Sequence, residues 1–337
     1  MVIESKVLRL QQHLFDNLGC VIIGRNEGKR LEMALNSIPD NLINRCVYVD
    51  SGSTDGSQSL AEKKGLTVIQ LDTDKPFTAA RARNAGAHKL VNLYPKISYI
   101  QFFDGDCSLA DGWLETAVNF LNQNSDVAIV CGRRKERYPE KSIYNWLCDI
   151  EWDAPIGQTD TCGGDFCIRT NAFYAVDGFN PDLIAGEEPD LCYRLRMVGH
   201  TIYRMDKIMT WHDANIKSFI QWAKRTKRGG YAYAEAVYRH FRKNTGYREH
   251  EMFRSLFWGL ILPVIILIAS TLNYHLISLI LIYPLHTIRV AINSKTKQRK
   301  LAYAFFMTLS KFPESLGILT FYYRLLFKLN SSLIEYK

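Results

Sequence analysis

Between Cys20 and Gly132, short runs of β-branched residues alternate with stretches of helical periodicity, which restricts the fold to an α/β domain on a parallel sheet. CVIIG reads as a buried strand and Lys29 to Ser37 as a helix. CVYVD is a second strand, followed by the turn-rich SGSTDGS and a helix from Ser57 to Lys64. LTVIQL, ISYIQFFDGD and VAIVCG supply a third, fourth and fifth strand, with a helix from Ala79 to Val91 after the third. Polar residues sit just past the carboxyl ends of the first, second and fourth strands, the edge at which open parallel sheets bind ligands. Beyond Gly132 the alternation weakens. CGGDFCIR fits a strand after a glycine turn, EEPDLCYRLRMVG a helix, and Ile216 to Tyr238 a basic helix.

The composition then changes sharply. Phe257 to Ile292 carries no charge before Arg289, and it is longer than the roughly 20 residues that one membrane span needs. The polar break at Asn273, Tyr274 and His275 predicts two short spans in a hairpin; an apolar helical pair packed on the α/β domain is the alternative. Arg242, Lys243, Arg248 and Arg254 precede the hairpin, and Lys295, Lys297, Arg299 and Lys300 follow it. The positive-inside rule therefore expects a cell-membrane protein with both ends of the hairpin, and the α/β domain, in the cytoplasm. Leu301 to Phe327 is apolar but interrupted by Lys311, Pro313 and Glu314, and reads as interfacial or re-entrant. The expected division is a 1–245 domain, with halves at about 18–132 and 133–245, and a 246–337 membrane-associated region. The opening MVIESKVLRLQQHLFD contains acidic residues and no continuous apolar core, so it fits a short amphipathic helix rather than a secretory signal.

Charge and cysteines narrow the partners. The net charge of +8 gathers from Lys207 to Arg254 and from Lys295 to Lys300, on either side of apolar sequence. That placement favours anionic lipid headgroups, and nothing resembles a helix-turn-helix, a zinc finger or an aromatic RNA-binding sheet. None of the eight cysteines forms a C-x-x-C pair, so spacing suggests neither a zinc cluster nor a disulfide framework. Most sit in apolar runs, as reduced thiols of a cytosolic domain do.

FFDGDCS carries the sharpest chemical signal. Asp104 and Asp106, one residue apart at the end of a buried strand, can face one Mg²⁺ or Mn²⁺ while Gly105 allows the turn. An ordinary strand-ending turn is the plain alternative. In VDSGSTDGS, Asp50 can accept from a base imide or a ribose hydroxyl, and the small residues after it let a nucleotide approach the backbone. In ARARNAG, Arg81 and Arg83 can reach a phosphate or simply solvate their helix. Glu187, Glu188 and Asp190 crowd the first turn of a helix, where they either complement its exposed N–H groups or supply a general base of raised pKa. His212 is a candidate metal ligand or phosphate contact, with a structural role as the alternative. Arg225 and Arg228 are candidates for a pyrophosphate or lipid-phosphate clamp, or for a basic membrane-facing surface.

Taken in order, CVIIGRNEG, VDSGSTDG, ARARNAG, DGD, CGGDF, GEEPDLCYRLR and RTKRGG resemble the family 2 glycosyltransferases of the GT-A fold, over about Cys20 to Glu235. The resemblance implies a mixed, mainly parallel, Rossmann-like sheet with flanking helices. It also implies inverting transfer of a sugar from a nucleotide-sugar, a UDP- or GDP-sugar, with a divalent metal on the diphosphate. It assigns Arg25, Asn26 and Glu27 to the nucleotide loop, Asp50 to base recognition, and Arg83 and Asp104 to the nucleotide. Asp104 and Asp106 become the metal pair, and Gly163, Gly164 and Asp165 the acceptor-side turn. The sequence departs from the family pattern at Glu188, which stands where an aspartate is customary, and at Ser51, which replaces a carboxylate. The Q-x-x-R-W motif of processive synthases is missing, since Gln221 is followed by Trp222, Ala223, Lys224 and Arg225. A single addition to a lipid-linked or saccharide acceptor in polysaccharide or glycolipid synthesis is therefore expected. A nucleotidyltransferase of similar fold and an inactive transferase-like membrane scaffold are the alternatives. The oligomeric state leaves no trace in the sequence.

Overall fold

The computed structural model describes residues 15–72, 74–240, 246–294 and 296–329. The expected N-terminal helix up to residue 14, and Arg242, Lys243 and Lys295 of the basic flanks, lie outside the described residues. The chain forms two compact units, one ending at Asn215 and the other beginning at Ile216.

The first unit opens with β1 (Leu18–Gly24), α1 (Lys29–Asn36), β2 (Cys46–Asp50), α2 (Ser57–Lys64), β3 (Thr67–Gln70), α3 (Ala79–Leu93) and β4 (Tyr99–Asp104). These match the expected periodicity closely, and β1 pairs in parallel with both β2 and β4 while β2 pairs with β3. β1 and β2 are buried on both faces, which is why they read as continuous apolar runs. Then follow β5 (Cys107–Leu109), α4 (Trp113–Gln123), β6 (Val127–Glu136), α5 (Ile143–Glu151), β7 (Gly157–Gln158), β8 (Phe166–Arg169), α6 (Thr170–Ala175), α7 (Glu187–Met197) and β9 (Thr201–His212). The sheet runs β3-β2-β1-β4-β8-β6-β9-β5, with β7 also on β9.

Two features differ from the periodicity. VAIVCG does not lie beside β4, because β8 inserts between them and runs antiparallel to both. Its register sets Phe102 opposite Phe166, and those rings, 5.4 Å apart, join Phe173 and Phe179 in one aromatic cluster. The gain from burying these rings fixes a place in the sheet that local pattern does not foretell. β9 is the second. Arg204, Asp206 and Lys207 interrupt its apolar alternation, yet it pairs in parallel with β6 and returns His212 to a position opposite Cys107.

The second unit contains α8 (Phe219–His240), α9 (Glu249–Leu256), α10 (Leu262–Leu272), α11 (Ile282–Ile292), α12 (Lys300–Leu309) and α13 (Lys311–Leu326). Through a wide turn at Phe257–Ile261, α9 and α10 form a 24-residue helix, Glu249–Leu272, and a 19-residue helix follows at Tyr274–Ile292. Both are long and apolar enough to cross a membrane, and only 17% and 6% of their most apolar windows is buried, unlike core helices of a water-soluble domain. Asn273 makes the expected break, its side chain accepting from the His275 amide at 3.1 Å. α8, which the sequence groups with the catalytic half, packs on α13 through Tyr231 against Phe321.

That packing relies on glycine. A Cβ on Gly230 would lie 2.0 Å from the Glu314 carbonyl oxygen, and one on Gly317 2.0 Å from that of Lys227. Gly230→Ala is therefore expected to cost about 1–3 kcal/mol or more. Gly229→Ala, with nothing within 4 Å of its Cβ, should be neutral or stabilising by up to about 1 kcal/mol through helix propensity. Thermal unfolding of both variants in detergent checks this; equal midpoints would refute the close crossing.

Candidate active site

The carboxyl ends of β1 and β2 are tied together by their own loops. Asn26, in the left-handed region at φ 54°, receives the Thr54 amide on Oδ1 at 2.7 Å and donates its own amide to Ser53 Oγ at 2.9 Å. Asp55 accepts from the Gly28 amide at 2.9 Å and from the Ser57 hydroxyl at 2.6 Å. Burial acts to raise its pKa, but those hydrogen bonds from Ser57 and Gly28 outweigh it and hold it below the usual carboxylate range. Arg25 stacks over Phe77 with 5.6 Å to the ring centroid, and Glu27 pairs with Arg30 at 2.8 Å.

Asp50 organises the loop after β2. It is fully buried, and Oδ2 accepts from the amides of Gly52 and Ser53 and from Gln58 Nε2 at 2.8–2.9 Å, while Tyr48 donates to Oδ1. A carboxylate so engaged shapes the loop. Arg81 likewise caps the carbonyls of Lys75 and Pro76 instead of pointing to a phosphate site.

At the end of β4 the charges interlock. Arg83, whose side chain is 3% exposed, donates to Asp104 Oδ1 at 2.7 Å and to Glu187 Oε1 at 2.8 Å. Burial alone would lower its pKa, yet Asp104 and Glu187 outweigh that and keep the guanidinium charged. Arg134 reaches Asp104 Oδ2 at 3.5 Å and grips Asp165 with two nitrogens at 2.8 and 2.9 Å. Asp165, expected in the acceptor-side turn, has no exposed area; it also accepts from the Asp104 amide and the Thr210 hydroxyl. It is an internal anchor, its buried charge balanced by Arg134 within a network of two arginines and three carboxylates. Gly164 lies against this group, where a Cβ would meet Arg83 Nη2 at 2.7 Å and Arg134 Nη2 at 3.0 Å, and Gly163 turns the chain at φ 80°.

Asp106 and His212 meet directly, Nε2 to Oδ1 at 3.3 Å, and both are nearly buried. Burial is the main cause of a lowered His212 pKa, so the ring is neutral at pH 7. Its Nδ1 faces Glu136 at 3.7 Å. Nε2 and Asp106 Oδ1 thus converge, a ring nitrogen and a carboxylate oxygen of the kind that ligate divalent ions. Asp106 and His212 converge with Cys107 as a group that could take a divalent ion, the imidazole tilting the choice toward a transition metal, while Asp104 converges with Cys107 and Asp165.

Of the acidic triplet, Glu187 is committed to Arg83 and Asp190 to Arg194 at 2.8 Å. Glu188 is 6% exposed, and its Oε1 accepts from the Cys162 amide at 2.6 Å and the Cys192 thiol at 3.0 Å. Its pKa is raised, chiefly by burial and against those two hydrogen bonds. Arg225 and Arg228 lie on α8, in the second unit, partly buried. Residues that the sequence reading passed over include Arg134, Glu136, Thr210, Cys162 and Cys192. Four consecutive charged residues, Arg133 to Glu136, hide the end of β6 in the sequence, so local pattern offers no signal for the first two.

A parallel half-sheet with tied loops at its carboxyl edge, an Asp-Gly-Asp at its central strand end and an antiparallel strand beside it make up a GT-A-like fold. Residues 20–179 match the family model described as Glycosyl transferase family 2. The glycosyltransferase AglE of Haloferax volcanii is 22% identical over 201 residues, covering 56% of this chain and 64% of that relative's length. The mannosyltransferase PcManGT from Pyrobaculum calidifontis, solved in complex with GDP-Man and Mn²⁺, shares the fold with a TM-score of 0.62 at 16% identity, over 90% of this chain and 87% of that one. TarS of S. aureus (residues 1–349) has a TM-score of 0.48 at 15% identity, over 90% and 91%.

Proposed function

We propose that the protein transfers one sugar, with inversion, from a nucleotide-sugar to a hydroxyl of a lipid-linked or saccharide acceptor at the cytoplasmic face of a membrane, in polysaccharide or glycolipid synthesis. The observation that carries this reading is the meeting of Asp106 with His212 beside Asp104 at the sheet's carboxyl edge. Asp104, Asp106 and His212 would hold Mg²⁺ or Mn²⁺, which when bound offsets charge developing on the departing diphosphate. Arg83 and Arg134 fix the Asp104 carboxylate from two sides, so its geometry is set before substrate arrives. Glu188 accepts the proton of the attacking hydroxyl. The Asn26–Thr54 and Gly28–Asp55 links hold the nucleotide loops in place.

A GDP-sugar is the first donor to test, because PcManGT carries GDP-Man. The apolar pair of helices supports a membrane-borne acceptor. Arg225 and Arg228, close together on α8, are the proposed contacts for a lipid phosphate. The test is a panel of UDP- and GDP-sugars with Mg²⁺ or Mn²⁺, scored for slow hydrolysis of the donor by the purified protein. Nucleoside diphosphate release that requires the ion, and that falls about 10²–10³-fold in Asp106→Ala, is expected. Release of pyrophosphate would instead mark a nucleotidyltransferase, and full turnover in Asp106→Ala would remove the metal site.

A further inference from the structure

We propose that Cys162, Cys192 and Glu188 form a second metal site, for one thiophilic dication such as Zn²⁺ or Cd²⁺, whose occupation takes Glu188 out of use. Only the inhibitory consequence rests on the reading of Glu188 as base; the binding does not.

The three donors already converge. The two sulfurs are 3.5 Å apart, Cys192 Sγ is 3.0 Å from Glu188 Oε1, and all three ligand atoms lie within 4.8 Å of one another. Two thiolates on a tetrahedral zinc, each at about 2.3 Å, are separated by about 3.8 Å, so a small opening of the pair admits the ion. The scaffold permits that opening. Glu188 and Cys192 are one helical turn apart on α7 and share its face. Cys162 precedes Gly163, at φ 80° with nothing within 4 Å of its Cβ position, so the loop has room to adjust. Cys162 is also the one partly exposed cysteine among the described residues, which gives the ion an entry path and a water its fourth position.

The donors also separate this site from the Asp104–Asp106–His212 group. Two thiolates select zinc or cadmium, whereas the carboxylate-rich group suits magnesium or manganese. Burial is the main cause that pushes the Cys162 thiol well above its ordinary pKa and Cys192 up to about 12, so both stay protonated without an ion. Binding then releases one proton from each thiol to solvent as two metal–sulfur bonds form, and Glu188 adds a carboxylate oxygen. Bound to the ion, that carboxylate no longer takes a proton from an acceptor.

The experiment titrates the full-length protein in detergent with Cd²⁺, in excess Mn²⁺, following thiolate-to-cadmium absorption and the unfolding temperature. One equivalent with a two-thiolate band and a raised unfolding temperature is expected. Affinity should drop about 100-fold in each of Cys162→Ser and Cys192→Ser and stay unchanged in Asp106→Ala. A band that survives both serine variants, or that disappears in Asp106→Ala, overturns the site. Cd²⁺ binding without any donor hydrolysis would sink the transferase reading and leave the metal site standing.

Discussion

Glu188→Gln is expected to leave a folded protein that binds nucleotide and transfers sugar about 10²–10⁴ times more slowly. The amide keeps the side chain's shape and can still accept from the Cys162 amide through its oxygen, so the loop that Glu188 holds at 2.6 Å stays in place. What it loses is the capacity to take a proton. Neither neighbour can readily replace it, because Glu187 is bound to Arg83 and Asp190 to Arg194. The pH dependence follows from the direction of the shift. A base must be ionised to act, and Glu188 is raised by burial, so activity should climb with pH through a midpoint above the ordinary glutamate value. That acid limb should vanish from the residual activity of the variant. Nucleoside diphosphate release across a pH series, for both proteins, checks the rate and the limb together; wild-type turnover in the variant would transfer the role elsewhere.

The strands and helices up to β4 were legible because each is a local pattern. CVIIG and CVYVD are unbroken apolar runs, and Ser57 to Lys64 is bounded by glycines, so periodicity alone finds them. β8 and β9 were harder for opposite reasons. β8 was visible as a strand, but its place between β4 and β6 depends on the Phe102–Phe166 packing, a long-range term that no window of sequence contains. β9 was hidden by Arg204, Asp206 and Lys207, whose charges break the alternation that would announce a strand.

The site shows the same division between composition and direction. Sequence locates a carboxylate at a strand end but not the way it points, and Asp50 and Asp165 both turn inward. Hydrogen bonding explains why. Asp50 finds two amides and a glutamine side chain within its own loop, and Asp165 finds Arg134 and Thr210 on strands far away in sequence. Spacing rules for cysteine fail similarly at Cys162 and Cys192. They are 30 residues apart in the chain, and only the return of the glycine turn to the first part of α7 brings their sulfurs together.

Asp165→Asn should therefore act on stability before it acts on acceptor binding. The substitution keeps the volume and leaves Arg134 without the carboxylate that it contacts at 2.8 and 2.9 Å. Breaking a buried pair in this way costs about 3–5 kcal/mol, a large part of the roughly 5–15 kcal/mol that holds a domain folded. Asp160→Asn is the matched control, since Asp160 pairs with Arg196 at 2.7 Å but is 81% exposed. An exposed pair of that kind contributes about 0–1 kcal/mol. Thermal unfolding should separate the two variants clearly. Donor hydrolysis should fall with Asp165→Asn even at temperatures where it is folded, because Arg134 loses the carboxylate that orients it. Equal unfolding midpoints for the two variants would return Asp165 to the acceptor side of the site, and the Arg134 pairing would then have to be weak despite its geometry.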